Sequence, residues 1–297
     1  MEFRHLGTYF RNAHYRGADS DVEEVAARKK KKTKTTQKAT TSATGAESTT
    51  TSPWSLPNFL PISLPGESEA TIAKHKEWMK VEATKKNMDQ TKMKVLMDRT
   101  FADRRRLVVT EGYSVQQIKE QYPSLFTAKE FADEYYRISD RYLDEFDLAL
   151  VNKGGGILQI PAKGKTKEDL QRLTDDSEVI QASLIKLACS LKEDVSWLFA
   201  KEEKAPKTPF PHIIADGDIL DSKEYRLVAD DTEFLVVGSL AEAVKLMMAS
   251  YYIFNINYPP PIKCTLIFLQ GVFLGVLDDQ KLPMKLHTLS DKMERVA

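Results

Sequence analysis

One apolar stretch near the C-terminus constrains the fold of this chain more than any other feature. Residues 233–274 read EFLVVGSLAEAVKLMMASYYIFNINYPPPIKCTLIFLQGVFL, the densest apolar segment of the 297-residue chain. Its two most apolar runs, 243–256 and 265–277, are each shorter than the roughly 20 residues that a helix needs to cross a bilayer. Three consecutive prolines, 259–261, separate them. We therefore interpret the stretch as two core helices and expect no membrane partner.

Two short strands are predicted just before and at the start of this stretch. Residues 225–229 and 234–237 are rich in apolar and β-branched side chains, and Asp230-Asp231-Thr232 lies between them. This pattern predicts an antiparallel β-hairpin. Ser239 is a suitable N-cap for a helix over 240–255, and a last long helix is expected over 262–277. A hairpin packed on two apolar helices is a small α+β unit.

The chain before this unit predicts a body of several helices. Apolar residues recur at helical spacing over 68–86 and 89–105, and capping-box sequences at Ser114 and Thr127 begin two further helices, the second carrying apolar residues as far as Leu150. Helices are also expected over 166–174, 177–191 and 195–201, whereas Gly154-Gly155-Gly156 predicts a hinge or loop. The fold class is therefore mostly α: a multi-helix body with a small C-terminal α+β unit in which one antiparallel hairpin packs on two apolar helices.

Composition changes along the chain predict its domain organisation. The tract after residue 20 is basic, then rich in Ser and Thr, and has too few apolar side chains to offset the entropy of ordering. The predicted divisions are a short N-terminal segment at 1–20, a disordered tail at 21–52, a proline-punctuated linker at 53–66, helical regions at 67–152 and 165–205, a glycine-containing loop at 153–164, the α+β unit at 206–285 and a tail at 286–297.

No catalytic or cofactor-binding motif is recognisable. Gly164-Lys165-Thr166 matches the end of a phosphate-binding loop, but Gln159 stands where that loop needs its first glycine. The five histidines have no second His, Cys or acidic residue at a metal-ligand spacing. Acidic pairs lie at predicted turns, where Asp side chains bond to local backbone amides. We therefore predict no catalytic residue, no cofactor and no metal.

An unrecognised hydrolase or transferase remains an alternative. It would use a histidine such as His212 with dispersed acidic residues, and it requires at least two of these side chains to meet in a water-accessible pocket. The candidates are His212, Asp216, Asp218 and Asp221. Cys189 and Cys264 lie far apart in apolar-rich segments, which predicts buried, reduced thiols in an intracellular protein.

Basic residues cluster near the N-terminus, although Lys+Arg and Asp+Glu both number 43 in the whole chain. The cluster is interpreted in three ways: a nuclear import signal, a sequence-independent contact with nucleic-acid phosphates, or a solvated tail. Its residues are Arg28, Lys29, Lys30, Lys31, Lys32 and Lys34. A second small basic spot, residues 104–106, ends the helix predicted over 89–105, where the helix dipole favours cations.

Several short segments resemble, in the same order over residues 56–282, the uncharacterised fish proteins named sterile alpha motif domain-containing protein 3-like. These segments are LPNFLP at 56–61, EWM at 77–79, TFADRRR at 100–106, QYPSLF at 121–126, NINYP at 255–259 and LIFLQGVFLG at 266–275. We find no sterile alpha motif in the chain, so the resemblance carries over no oligomerisation through that module. It implies no activity, cofactor or catalytic residue.

The function predicted from the sequence is that of a non-enzymatic intracellular interaction protein, in the nucleus more than in the cytoplasm. Its helical body would bind protein partners. The alternative within the binding class is a weak, sequence-independent nucleic-acid binder that acts through the basic run.

Overall fold

The computed structural model describes residues 59–159, 176–201, 208–217, 219, 222–277 and 282–294. Most of these residues are helical, which confirms the predicted fold class. The helices are α1 (Glu69–Ala83), α2 (Gln90–Arg99), α3 (Phe101–Val109), α4 (Val115–Gln121), α5 (Ala128–Ser139), α6 (Asp144–Gln159), α7 (Asp176–Leu191), α8 (Leu240–Ile253), α9 (Lys263–Phe268) and α10 (Met284–Glu294). The basic run, the helix predicted over 166–174 and Gly164-Lys165-Thr166 lie outside the described residues.

The helix predicted over 89–105 is two helices, α2 and α3, separated at Thr100. The Thr100 hydroxyl donates to the Leu96 carbonyl oxygen at 2.7 Å. Its backbone has φ −95° and ψ 5°, outside the helical region. A threonine that bonds back onto the preceding turn competes with the regular helix ladder, which explains the break. Residues 104–106 therefore lie inside α3 and do not end a helix.

Within the described residues the sheet has four strands, in the order β1 (Phe199–Lys201), β2 (His212–Ala215), β3 (Tyr225–Ala229) and β4 (Thr232–Val237). The predicted antiparallel pair β3–β4 is present, with a two-residue turn in which Asp230 and Asp231 both have positive φ. Such a turn matches the twist of the flanking strands. The hairpin is only half of the sheet, because β2 pairs antiparallel with β3 and β1 pairs parallel with β2.

Three further predictions about local structure are wrong. The helix predicted from Thr127 as far as Leu150 is two helices, α5 and α6, because Asp140 adopts a left-handed backbone that ends α5. Residues 195–201, predicted as a helix, form the 3-10 turn Val195–Trp197 and then β1, because pairing with β2 provides the partners of this short strand. Residues 154–156, predicted as a hinge or loop, lie inside α6. A Cβ atom on Gly156 would come within 2.7 Å of the Met293 carbonyl oxygen. The glycine is needed for the close approach of α6 to α10, not for chain flexibility.

The apolar stretch that dominates the sequence forms the centre of the core. Helix α8 is buried at Leu240, Ala243, Val244 and every residue of 246–253. The helix expected over 262–277 is shorter and irregular: the 3-10 turn Pro260–Ile262, α9, and the π-helical turn Leu269–Phe273. Within the described ranges, no helix has both the length and the apolar character of a membrane span.

The helical region and the sheet share this core. Phe131 of α5 stacks on Phe234 of β4 with 5.4 Å between ring centroids, and Phe254, just after α8, contacts both rings. The side chain of Asp230, in the β3–β4 turn, accepts a bond from the Val115 amide at the start of α4. The helices and the sheet are therefore joined by apolar packing and by polar contacts.

Candidate functional site

A surface cleft of about 840 Å³ lies between α1, α3 and the extended segment that precedes α1. Its lining combines apolar and charged side chains. The apolar ones are Leu60, Pro61, Ile72, Ala73 and Ala102, and the charged ones are Glu67, Glu69, Lys76, Glu77, Lys80, Asp103 and Arg106. The α1 residues that line the cleft lie on one side of that helix because they recur at spacings of three and four residues: Glu69, Ile72, Ala73, Lys76, Glu77 and Lys80.

The extended wall of the cleft is anchored at Phe59. This ring is buried, meets Phe101 edge to face at a centroid distance of 6.3 Å, and lies 5.5 Å from the Arg105 guanidinium carbon. The residues that follow are less well covered, since Leu60 is 46% exposed and Ile62 is 65% exposed. The wall is therefore fixed at one end and presents apolar side chains to solvent beyond it.

Glu67 lies at the base of the wall and is held by three donors. Its carboxylate accepts from Arg99 Nη1 at 2.7 Å and from Thr71 Oγ1 at 2.8 Å, and His75 Nε2 lies 3.1 Å away. Burial raises the pKa of Glu67, but the bonds from Arg99 and Thr71 and the charge of His75 outweigh burial, so the pKa lies below its usual range. Glu67 is therefore ionised at neutral pH.

Asp103 has a similar environment on α3. Its carboxylate accepts from Lys76 Nζ, Arg106 Nη2 and the Tyr122 hydroxyl, each at 2.6 Å. Burial raises the pKa of Asp103, and these three donors lower it to below its usual value. A general acid needs a raised pKa, and a general base needs free lone pairs directed at a substrate. Asp103 and Glu67 have instead the properties of carboxylates that fix neighbouring helices.

A buried ion pair lies behind the cleft. Arg104 donates to both oxygens of Glu134, at 2.7 Å from Nε and 2.6 Å from Nη2, and each side chain is only 2% exposed. Arg104 also donates to the Met97 carbonyl oxygen and to Thr100 Oγ1. Arg137 Nη1 lies 2.9 Å from the same Glu134 carboxylate. Burial raises the pKa of Glu134, but Arg104 and Arg137 bring it below its usual range. The pair fixes α5 against α2 and α3.

Arg105 connects the cleft region to the core helix. Its Nη1 atom lies 3.2 Å from the carbonyl oxygen of Tyr252 and 3.3 Å from that of Ile253, in the last turn of α8. Burial lowers the pKa of Arg105 to about 10, so the side chain remains a cation at neutral pH. A cation at this position complements the dipole of α8. The prediction of a small basic spot at 104–106 is therefore wrong for Arg104 and Arg105, because both side chains are buried.

The residues named for the enzyme alternative do not all come together. His212, at the start of β2, is 2% exposed, and its Nδ1 lies 3.0 Å from the Phe210 carbonyl oxygen. Asp216 is exposed and follows the end of β2, so it lies roughly 13 Å from His212 along the strand. Asp218 and Asp221 lie outside the described residues. Burial lowers the pKa of His212. In the part of the chain that the structure describes, no group of three or more His, Cys, Asp or Glu residues is placed to hold a metal ion.

The two cysteines are both free thiols. Cys189 is exposed, so the prediction that it is buried is wrong, because it falls on the outer side of α7. Cys264 is half-buried at the start of α9. Glu193 accepts bonds from the amides of Cys264 and Thr265, which caps that helix.

The positions of Arg104 and Glu134 in the sequence indicate the buried ion pair, although the spacing of the apolar residues alone does not. Arg104 lies seven residues after Met97 and four after Thr100, so it continues the buried stripe of α2 and α3. Glu134 likewise lies three residues after the buried Phe131 on α5. Opposite charges on two buried stripes indicate a pair between helices.

A family model described as the helical domain of sterile alpha motif domain-containing protein 3 matches residues 72–127. The match runs from within α1 to the start of α5, and it supports the resemblance noted in the sequence for this part of the chain. No curated protein and no solved structure matches the chain. Most of the charged cleft residues, from Lys76 to Arg106, lie inside the matched range.

Proposed function

We propose that this chain is a non-enzymatic interaction protein whose cleft binds a segment of a protein partner. The observation that carries the proposal is the cleft itself, which lies largely in the matched helical segment and contains carboxylates already neutralised by ion pairs. Binding needs a preformed surface of this kind, whereas acid–base catalysis needs a titratable group that can exchange protons with a substrate.

The lining indicates the kind of segment that would bind. Leu60, Ile72, Ala73 and Ala102 can contact one apolar side chain of the partner, and short Ala side chains leave room for it. Burial of a Leu-sized side chain contributes roughly 1.5–3 kcal/mol. The charges of α1 at the rim of the cleft would set the orientation of the segment. The best-fitting partner is an amphipathic helix or an extended peptide with an apolar anchor residue.

Filling the cleft should abolish partner binding without unfolding the protein. Ala73 is exposed on α1 and lines the cleft, so Ala73→Arg places a long side chain in the opening. We expect at least a tenfold loss of affinity, since an arginine there displaces the apolar anchor of the partner. Partners should be identified by quantitative pull-down with the full chain, and affinities then measured with the purified partner.

Ala70→Arg provides the matched control, because Ala70 is an exposed alanine of the same helix that does not line the cleft. Both variants should keep the melting temperature of the parent protein. Equal partner recovery from the parent, Ala73→Arg and Ala70→Arg proteins would show that the cleft is not the binding surface.

We further propose import into the nucleus through the basic run. Deletion of residues 28–34 should shift a fluorescent fusion toward the cytoplasm, because an import signal of this type depends on a dense cluster of exposed cations. Deletion of residues 35–41, which is equally long and contains a single lysine, is the control. An unchanged distribution after the first deletion would contradict import. The nucleic-acid alternative would gain support if the same deletion removed a nucleic-acid affinity that falls steeply with salt.

A further inference from the structure

A second exposed surface, independent of the cleft, lies where α5 ends and α6 begins. The rings of Tyr136 and Tyr142 stack with 4.5 Å between centroids and 25° between planes. Tyr142 is 61% exposed, and Leu148 and Val151 of α6 are each 66% exposed. We call the surface formed by Tyr136, Tyr142, Leu148 and Val151 the tyrosine face.

The sequence of α6 places these apolar residues on the solvent side. Asp144, Leu148, Val151 and Gly155 follow one another at spacings of four, three and four, so they occupy an arc of about 60° on the helix. All four are exposed. The opposite side of the helix is buried, at Phe146, Leu150 and Ile157 among others. The apolar side chains of Leu148 and Val151 are therefore not the edge of the core but a separate exposed stripe. Contiguous exposed apolar patches mark interaction sites when they are large.

Carboxylates surround the tyrosine face. Asp133 lies one turn before Tyr136 on α5, Asp140 ends α5 with a left-handed backbone, and the side chain of Asp144 is 90% exposed. Over residues 128–151, acidic side chains outnumber basic ones by seven to three, so negative charge is in excess: Glu130, Asp133, Glu134, Asp140, Asp144, Glu145 and Asp147 against Lys129, Arg137 and Arg141. Lys245 lies 4.0 Å from Asp144 but 2.5 Å from Asp147. The face therefore has an acidic border.

The two phenols support each other as a fixed platform. The contact with Tyr142, then burial, then the neighbouring Asp140 raise the pKa of Tyr136 to about 12. The ring therefore stays neutral at all physiological pH values. The exposed ring of Tyr142 offers its π-system to a cation, an arrangement worth about 0.5–1 kcal/mol at an exposed site.

We propose that the tyrosine face binds a basic peptide segment of another protein, with an Arg or Lys side chain over the Tyr142 ring. The carboxylates of Asp140 and Asp144 accept bonds from the cationic head group. Leu148 and Val151 contact the aliphatic stem of the same or a neighbouring side chain. Charge complementarity selects this occupant, because an acidic or purely apolar segment would leave the carboxylate border uncompensated.

The proposal is tested by fluorescence anisotropy with the full chain and a labelled peptide of sequence Gly-Arg-Leu-Lys-Arg-Leu-Gly, and with a second peptide in which Glu replaces each Arg and Lys. We expect the basic peptide to bind and the acidic one not to bind. Asp144→Lys should weaken binding by about tenfold, and Tyr142→Leu by about fivefold, since the first reverses a border charge and the second removes the π-system.

Glu224→Lys is the matched control, because it changes the net charge of the chain by the same amount at another exposed acidic position. It should leave the affinity unchanged, as should Ala73→Arg, which separates this surface from the cleft. Equal weakening by Asp144→Lys and Glu224→Lys, or no binding at millimolar peptide, would overturn the proposal. If the peptide binds only after residues 28–34 are replaced by glutamine, the natural occupant is the basic run of this chain. If the chain self-associates and then no longer binds the peptide, the occupant is a second copy of the chain. Either result would overturn the proposal that a peptide of another protein binds here.

Discussion

Replacing Glu134 with leucine is expected to lower the free energy of unfolding by about 3–5 kcal/mol. The substitution introduces an apolar side chain of similar size and removes both acceptors of the bidentate contact with Arg104. Arg104 is 2% exposed, so water cannot replace the lost carboxylate. An uncompensated charge in the interior is among the most destabilising single changes. Urea denaturation followed by circular dichroism measures the effect.

A double-mutant cycle separates charge from packing. Arg104→Met combined with Glu134→Leu removes the pair together, and we expect this protein to recover most of the loss, because a well-packed apolar pair can replace a buried ion pair at little cost. Asp98→Asn is the control on the same network, since Asp98 is 44% exposed and bonds Arg137 at the surface; its effect should stay below about 1 kcal/mol. A Glu134→Leu protein within 1 kcal/mol of the parent would show that Arg104 finds another acceptor.

The second large effect is expected at Gly156. In Gly156→Ala the new Cβ atom would lie 2.7 Å from the Met293 carbonyl oxygen and 3.2 Å from the Met293 carbonyl carbon. These are backbone atoms, which cannot rotate away as a side chain can, so α6 and α10 must move apart. Overpacking of this kind costs about 1–3 kcal/mol. The loss should appear as a lower urea midpoint with an unchanged slope.

Gly155→Ala is the comparison within the same helix turn. Among the described residues, and apart from the adjoining backbone of α6, nothing lies within 4 Å of the Cβ position at Gly155, and the residue is exposed. Alanine lowers the entropy of the unfolded chain, so this variant should gain about 0.5–1 kcal/mol. The two adjacent glycines should therefore shift stability in opposite directions. A destabilised Gly155→Ala protein, or a neutral Gly156→Ala protein, would contradict the packing of α6 on α10.

The features that sequence predicted correctly depend on local interactions. The Ser114 hydroxyl accepts from the Gln117 backbone amide, and the Gln117 side-chain oxygen accepts from the Ser114 backbone amide, as the capping-box pattern indicates. Thr127 and Ser239 accept the corresponding bonds at the starts of α5 and α8. The β3–β4 hairpin likewise requires only neighbouring residues. In each case the interacting groups are a few positions apart, so the residue types alone determine the geometry.

The features that sequence did not predict depend on distant partners. Gly154-Gly155-Gly156 has the composition of a loop, and only the approach of Met293 shows why a helix has a glycine at position 156. Strand β1 forms because Phe199 pairs with Ile213. A strand of only three residues has no local sequence pattern that predicts it. Arginine is usually a surface residue, and Arg104 is buried because it pairs with the carboxylate of Glu134, 30 positions away.

The candidate site follows the same division. The basic run is a local feature and was found from composition, and its role remains a prediction. The cleft joins residues from Leu60 to Gln121 across three segments, and it contains no motif that a pattern search would recognise. The tyrosine face cannot be predicted from the sequence either, because Leu148 and Val151 have the residue types of a core. Only the burial of the opposite side of α6 shows that they are exposed.

The contact between Arg105 and the end of α8 has a consequence for how the protein is made. The carbonyl groups of Tyr252 and Ile253 lie 147 and 148 positions after Arg105. A ribosome adds about 5–20 residues per second, so roughly 7–30 seconds separate the synthesis of the arginine from that of its acceptors. During that interval the guanidinium must stay hydrated, and α3 cannot close over its final neighbours. The N-terminal helices of a nascent chain therefore wait for the last third to emerge, and a chaperone that holds unfinished chains has its longest access to them in that time.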